Sequence, residues 1–145
     1  MPVPVPVPVP DGGDTQARDS RRTIVQSFDH ERLDVYQAAI DFVALANEVV
    51  ERLPRGRGYL ADQLQRAATS VPLNVAEGAG EFSGNEKARF YRMAKRSATE
   101  CAAILDVCRR LSLIEEARFG EGRELLLRIV SMLTKMVRSL ARAEP

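Results

Sequence analysis

The sequence is poor in the residues that build most catalytic and metal sites. Its 145 residues include no tryptophan, one histidine, two cysteines and three lysines. The lone histidine, His30, cannot supply both a catalytic triad and a metal cluster. Two further motifs are missing, a Glu-x-x-His pair for a di-metal site and a glycine-rich loop followed by Gly-Lys-Ser/Thr. These absences argue against an enzyme and predict no cofactor, metal or small-molecule substrate.

Cysteine usage and hydropathy limit the cellular setting. Cys101 and Cys108 are seven residues apart, which on a helix separates them by roughly 10 Å along the axis. A disulfide cannot close over that distance, so both are predicted to be reduced core residues. No apolar run approaches the ~20 residues of a membrane span, and no signal-peptide hydrophobic region is found at the amino terminus. We therefore expect a cytoplasmic protein without membrane contact.

Charge of one sign is not in excess. Lysine and arginine number 21 against 20 for aspartate and glutamate, so the net charge is +1. Such a chain has no global attraction to nucleic acid or anionic lipid, and any basic surface must be local. Arginine makes up 18 of the cations, which suits bidentate contacts with phosphate or carboxylate. A GC-rich gene would give the same excess of arginine.

The amino-terminal part differs in composition from the rest. Residues 1–10 are Met followed by alternating Pro and Val, and the next residues are polar and glycine-containing. This composition predicts a disordered tail over residues 1–28 and a single domain over residues 29–145. A solvated leader is the simplest interpretation of the tail, and a docking peptide for a partner is the alternative.

Four segments show the 3.6-residue period of amphipathic helices. The first runs from Leu33 to Leu53, and the second runs from about Tyr59 to Ala79, with Gly78 and Gly80 expected to end it. Capping-box spacing predicts that Ser83 with Glu86 opens the third helix and that Ser112 with Glu115 opens the fourth. The predicted fold is all-α, an antiparallel up-and-down four-helix bundle. The first, third and fourth helices each carry two apolar rows, more than an isolated bundle needs, so we expect a homo-oligomer.

The second helix contains a proline in its interior. Pro72 lacks the N–H that would bond the Ala68 carbonyl, which costs roughly 3 kcal/mol inside a helix. A polar stripe passes beside it and includes Ser70, Asn74 and Glu77. One interpretation is a kink whose freed groups are satisfied by Ser70 and Asn74. The other is a polar network at a subunit or ligand contact.

Helix register extends this stripe into a predicted polar junction. The junction comprises Ser70, Pro72, Asn74, Glu77 and Gly78. Antiparallel pairing with the third helix places Arg89 opposite Leu73 and Asn74, one turn from Glu77, so Arg89 is expected to join it.

A basic face on the third helix is the best candidate for a binding surface. Arg89, Arg92 and Arg96 share this face and Lys95 flanks it. Arg66, on the second helix, is a further candidate. Such a patch could contact RNA phosphates, each contact adding to a salt-dependent affinity. A solvated charged face that binds nothing is the alternative.

Several motifs carry a resemblance to a known family. These are Arg66-Ala67-Ala68, Ser70-Val71-Pro72 and Asn74-Val75-Ala76-Glu77-Gly78, followed by Ser83, Glu86, Phe90 and the stretch Ser97 to Glu100, with Leu33-Asp34-Val35-Tyr36 in the first helix. In their order and spacing they resemble the 23S rRNA intervening-sequence proteins, small four-helix bundle proteins of bacteria. The resemblance covers about residues 28–142.

The resemblance implies a homo-oligomer, a ring-shaped pentamer, with no enzymatic activity. A related branch, the accessory variability proteins of diversity-generating retroelements, consists of basic pentamers that bind a reverse transcriptase and nucleic acid. By analogy we expect an accessory protein that binds RNA, other nucleic acid or a nucleic-acid-processing protein through the basic helix face. The alternative is a protein-interaction scaffold or assembly adaptor that binds no nucleic acid. This chain departs from the related branch in its near-neutral charge.

Overall fold

Four long helices account for most of the described chain. A computed structural model describes residues 3–4 and 26–143. After a short 3-10 turn the helices are α1 (Asp34–Glu51), α2 (Gly58–Gly80), α3 (Gly84–Arg110) and α4 (Glu116–Ala143), and the described residues contain no strand. The predicted all-α class with four helices is confirmed. Most of the predicted tail, residues 1–28, lies outside the described residues.

The helices pack around one apolar core. α1 packs beside α2 and α4, and α3 packs beside α2 and α4, whereas in the described part of the chain the backbones of α1 and α3 do not approach within 8 Å, Cα to Cα. Each helix turns one stripe inward, as its apolar period predicts. The largest fully buried side chains are Phe42, Leu64, Leu105, Leu126, Ile129 and Leu133. None of the helices in the described residues is long and apolar enough to cross a membrane.

The connection between α2 and α3 departs from the prediction in two details. α2 continues through Gly78 to Gly80, so Gly78 is a buried interior residue and does not end the helix. The Ser83 hydroxyl accepts the Glu86 N–H at 3.1 Å, as a helix cap should. The Glu86 carboxylate accepts from the Arg89 guanidinium instead of reaching back to Ser83. Only half of the predicted capping box is therefore formed.

The predicted capping box at Ser112 is wrong. Ser112 has a φ of 58°, a left-handed conformation, and it ends α3 while α4 begins at Glu116. The Leu113 N–H donates to the Cys108 carbonyl at 2.8 Å, and the Ser112 N–H donates to the Arg109 carbonyl at 3.0 Å. These two bonds define a Schellman motif, which usually places glycine where Ser112 stands.

Candidate nucleic-acid interface

A polar junction joins α2 to α3 beside the core. The Asn74 side-chain amide donates to both the carbonyl and the hydroxyl of Ser70, each at 2.9 Å. The Ser97 hydroxyl of α3 donates to the Ser70 hydroxyl, also at 2.9 Å. All three side chains are half-buried. The structure therefore brings together two of the residues predicted for the junction, Ser70 and Asn74, with Ser97 as their partner on the facing helix.

Pro72 is buried within α2, and the helix continues past it without interruption. The Asn74 amide reaches the carbonyl of Ser70, which is not the Ala68 carbonyl that Pro72 leaves without its usual donor. No side chain in the described part of the chain donates to Ala68. Ser70 and Asn74 thus tie α2 to α3 and do not satisfy the carbonyl freed by the proline, which corrects that part of the prediction.

The other members of the predicted junction lie elsewhere. Arg89 pairs with Glu86 at 3.2 Å and covers the Phe90 ring at 4.6 Å, so its predicted contact with Glu77 is not formed. Glu77 is exposed and has no ion-pair partner among residues 26–143. Gly78 meets the ring of Tyr91, so its role is close packing and not polar contact.

Three of the predicted cations are available to a ligand. Arg92 and Arg96 are exposed on α3 and Lys95 is half-buried beside them. None of the three forms an ion pair with another described residue, unlike Arg89. Their charges are offset only by Glu100, which lines the same shallow surface as Arg92, Lys95 and Arg96. A row of arginines without carboxylate partners is suited to binding anions.

A groove between α2 and α3 connects this row to Arg66. Arg66 lies on the α2 side of the groove, on a shallow surface formed by α2 residues alone, among them Ser70, Leu73, Asn74 and Glu77. Arg96 lines the adjoining part, which shares Ser70 and Asn74. The polar junction therefore lies on the floor between two arginines. The groove also has exposed apolar edges, since Leu73 is 59% exposed and Met93 38%.

Two residues with defined roles were missed by the sequence analysis. Ser97 is absent from the predicted junction, although its hydroxyl completes the junction in the structure. Lys87 was not singled out, yet its ammonium group donates to the carbonyls of Ala79 at 2.9 Å and Gly78 at 3.3 Å. It thereby caps the carboxyl end of α2, where a cation is favourable. A lysine one turn into the next helix was the available signal for the second role.

The buried titratable side chains all have raised pKa values. Burial, reinforced by the charge of Glu100, raises the pKa of Cys101 to about 12. Burial also raises the pKa of Cys108 and of Tyr91. These thiols stay protonated near neutral pH, and the thiolate is the nucleophilic and metal-binding form. Within the described residues there is also no cluster of three potential metal ligands.

Comparison with known proteins supports the family resemblance that the motifs on α1, α2 and α3 suggested. A search of curated proteins finds no match to the chain. The family model described as 23S rRNA-intervening sequence protein matches residues 31–135, which span all of α1, α2 and α3 and most of α4. This match covers more than half of the chain, and we conclude that the chain belongs to the 23S rRNA-intervening sequence protein family.

Proposed function

We propose that this protein is a non-enzymatic, homo-oligomeric accessory protein that binds nucleic acid, alone or together with an enzyme acting on nucleic acid. The observation that carries the proposal is the row Arg92, Lys95 and Arg96, which has no ion-pair partner among the described residues. Arg66 extends it across the groove. The expected location is the cytoplasm, where RNA is abundant.

The affinity expected from this row is dominated by phosphate contacts. Each neutralised phosphate contributes a slope of about −0.9 to log K against log salt on duplex DNA. Four contacts, from Arg66, Arg92, Lys95 and Arg96, therefore predict a slope of about −3 to −4. Arg89 is expected to contribute less because Glu86 already holds its guanidinium.

The test is a fluorescence-anisotropy titration of a labelled RNA at several salt concentrations. The Arg92→Gln, Arg96→Gln variant should bind at least tenfold more weakly and lower the slope by about 2. A charge-matched control is Arg55→Gln, Arg57→Gln, because these cations lie in the turn between α1 and α2. Absence of salt-dependent binding by the unaltered protein would refute the proposal.

The oligomer and the helix directions are part of the same proposal. An antiparallel arrangement of α2 and α3 is supported by two contacts, Ser70 with Ser97 and Gly78 with Tyr91. Gly78 is later in α2 than Ser70, whereas its partner Tyr91 is earlier in α3 than Ser97, as expected for helices that run in opposite directions. Membership of the family is the ground for proposing a ring-shaped pentamer. Exposed apolar side chains on all four helices support self-association; these are Ile40, Leu73, Met93, Val107 and Leu127. Mass measurement in solution tests it, and a monomer at micromolar concentration would refute it.

A second candidate function is a scaffold that binds protein and no nucleic acid. The exposed Leu73 and Met93, on the edges of the groove, favour it. Under this hypothesis Leu73→Ser abolishes partner binding, whereas Arg92→Gln, Arg96→Gln leaves it intact. The predicted docking role of the amino-terminal tail falls outside the described residues and is tested by deleting residues 1–27.

A further inference from the structure

The carboxyl-terminal half of α4 carries a second row of cations. Lys135, Arg138 and Arg142 lie at spacings of three and four, so they share one helix face. All three are exposed and none forms an ion pair with another described residue. Arg128 precedes them, but it lies beside Glu121 and Glu124. From residue 128 to residue 143 the helix has no carboxylate.

Contacts between α3 and α4 place the two rows side by side. At the far end, Arg109 pairs with Glu116 at 3.0 Å, and a Cβ on Gly122 would touch Leu105. Gly122 is later in α4 than Glu116, whereas its partner Leu105 is earlier in α3 than Arg109, so the two helices run in opposite directions. Continued along both helices, this register puts Arg92 level with Lys135 and Arg89 level with Arg138. The axes of packed helices are about 8–10 Å apart.

These two segments hold a large share of the positive charge. Residues 84–100 and 128–143 contain nine of the 21 cations but only two of the 20 carboxylates, Glu86 and Glu100. The remainder of the chain is therefore net negative. The near-neutral total results from a strongly uneven distribution, with a basic surface where the two rows meet.

We propose that the α3 row (Arg89, Arg92, Lys95 and Arg96) and the α4 row (Lys135, Arg138 and Arg142) form one surface that binds the phosphate backbones of a double-stranded nucleic acid. This inference rests on the proposed function and specifies its ligand. The spacing of packed helix axes, about 8–10 Å, lies between the widths of the B-DNA grooves, about 6 and 12 Å. Two parallel lines of cations at that spacing match the two phosphate strands that border a groove.

Neither of the two helix segments offers the open aromatic faces of a single-strand site, and the fully exposed Phe82 lies outside them, in the turn before α3. Single-stranded nucleic acid is held largely by stacking of bases on open aromatic faces. The aromatic side chains in the two segments are Phe90 and Tyr91. Tyr91 is buried and the Phe90 ring is covered by the Arg89 guanidinium. Binding is therefore expected to depend on backbone charge, to tolerate any sequence and to favour a duplex.

The experiment compares a 20-base-pair duplex DNA with a 20-nucleotide single-stranded DNA, by anisotropy between 50 and 200 mM salt. The triple variant Lys135→Gln, Arg138→Gln, Arg142→Gln tests the α4 row, since glutamine and the replaced residues have similar helix propensity. We expect at least a tenfold loss of duplex affinity and a decrease in salt slope of about 2 to 3. The conservative variant Arg138→Lys, Arg142→Lys should keep most of the affinity.

The control removes three cations at the opposite end of the molecule. Arg55→Gln, Arg57→Gln, Arg110→Gln changes the net charge equally, near the end where Arg52 meets Glu115, and should change duplex affinity less than twofold. Circular dichroism and solution mass confirm that each variant keeps its fold and assembly.

Each outcome decides between the two claims. If the α4 triple variant binds like the unaltered protein while Arg92→Gln, Arg96→Gln binds weakly, the two-row surface is refuted and the proposed function stands. If the single strand binds more tightly than the duplex, the assignment to double-stranded ligands is refuted. If the unaltered protein binds neither, both the inference and the proposed function fail.

Discussion

Replacement of Gly78 by alanine should destabilise the protein, although alanine is the better helix former. A Cβ built on Gly78 lies 2.7 Å from Cε1 and 2.9 Å from Cδ1 of Tyr91, and 3.1 Å from Cβ of Phe90. Tyr91 is only 5% exposed, so its ring has little room to turn away. Overpacking of this kind costs about 1–3 kcal/mol, whereas the helix-propensity gain of Gly→Ala is about 1 kcal/mol.

Two other glycines in the same protein serve as matched controls. Gly120 lies in α4 with open space around its Cβ position, so Gly120→Ala should gain about 1 kcal/mol. Gly122 would meet the flexible end of Leu105 at 2.8 Å, so Gly122→Ala should fall between the other two. Because both substitutions gain the same helix propensity, the expected gap in unfolding free energy between Gly120→Ala and Gly78→Ala is the overpacking cost, about 1–3 kcal/mol.

The assay is urea unfolding at one protein concentration, because self-association would otherwise shift the midpoint. At about 2–4 °C per kcal/mol for a chain of this size, the gap corresponds to roughly 2–12 °C in Tm. Tyr91→Ala should remove the penalty, so Gly78→Ala in that background should cost much less than alone. A Gly78→Ala protein as stable as Gly120→Ala would contradict the close approach of α2 and α3.

Three further predictions concern local features. Ser112→Gly should stabilise the protein by about 1 kcal/mol in urea unfolding, because it relieves a left-handed serine; an unchanged midpoint would argue against the Schellman motif. Lys87→Met keeps the aliphatic stem but loses the bonds to Ala79 and Gly78, and should cost about 1–2 kcal/mol, whereas Lys87→Arg should cost less. Burial, reinforced by Glu100, raises the pKa of Cys101 from 9.0 to about 12. The neutral thiol thus makes its full contribution to the unfolding free energy below pH 9, and this contribution is lost as the pH rises towards 12. Over that range the urea midpoint of Cys101→Ala should fall less than that of the unaltered protein.

The four helices could be predicted from the sequence because apolar period and turn residues agree with each other. The predicted limits of the second helix, Tyr59 and Ala79, each lie one residue inside those of α2. Ser83 was identified as a cap because a hydroxyl three residues before a helical glutamate has a well-defined geometry. Local rules of this kind need no knowledge of the tertiary fold.

The same local rule failed at Ser112, since the spacing of Ser112 and Glu115 cannot distinguish the end of one helix from the start of another. The deciding bonds involve the main chain of Cys108 and Arg109, which no side-chain pattern reports. Gly78 was misassigned for a similar reason. Its role depends on the ring of Tyr91 on another helix, and only the packed structure brings the two together.

The candidate interface was predicted only in part. The α3 row was visible because its members lie within eight consecutive residues. The α4 row was overlooked because Lys135, Arg138 and Arg142 gain significance from lying beside the α3 row, which is at least 39 residues earlier in the chain. Arg89 pairs with Glu86 and not with Glu77. Helix spacing allows either carboxylate as a partner, so this choice could be predicted only with the side-chain conformations.

The near-neutral net charge does not weaken the case for nucleic-acid binding, but it should alter the salt dependence at low ionic strength. At 0.1 M salt the Debye length is about 10 Å, so a bound phosphate responds to the two rows and little else. At 0.01 M it is about 30 Å, and the ligand also feels the carboxylates elsewhere, including the four on α1, which has no cation. As the salt concentration falls below 50 mM, log affinity should therefore rise less steeply than a line fitted between 50 and 200 mM would predict. An anisotropy titration extended to 10 mM measures this, and a slope that stays constant would refute the uneven charge distribution as the explanation.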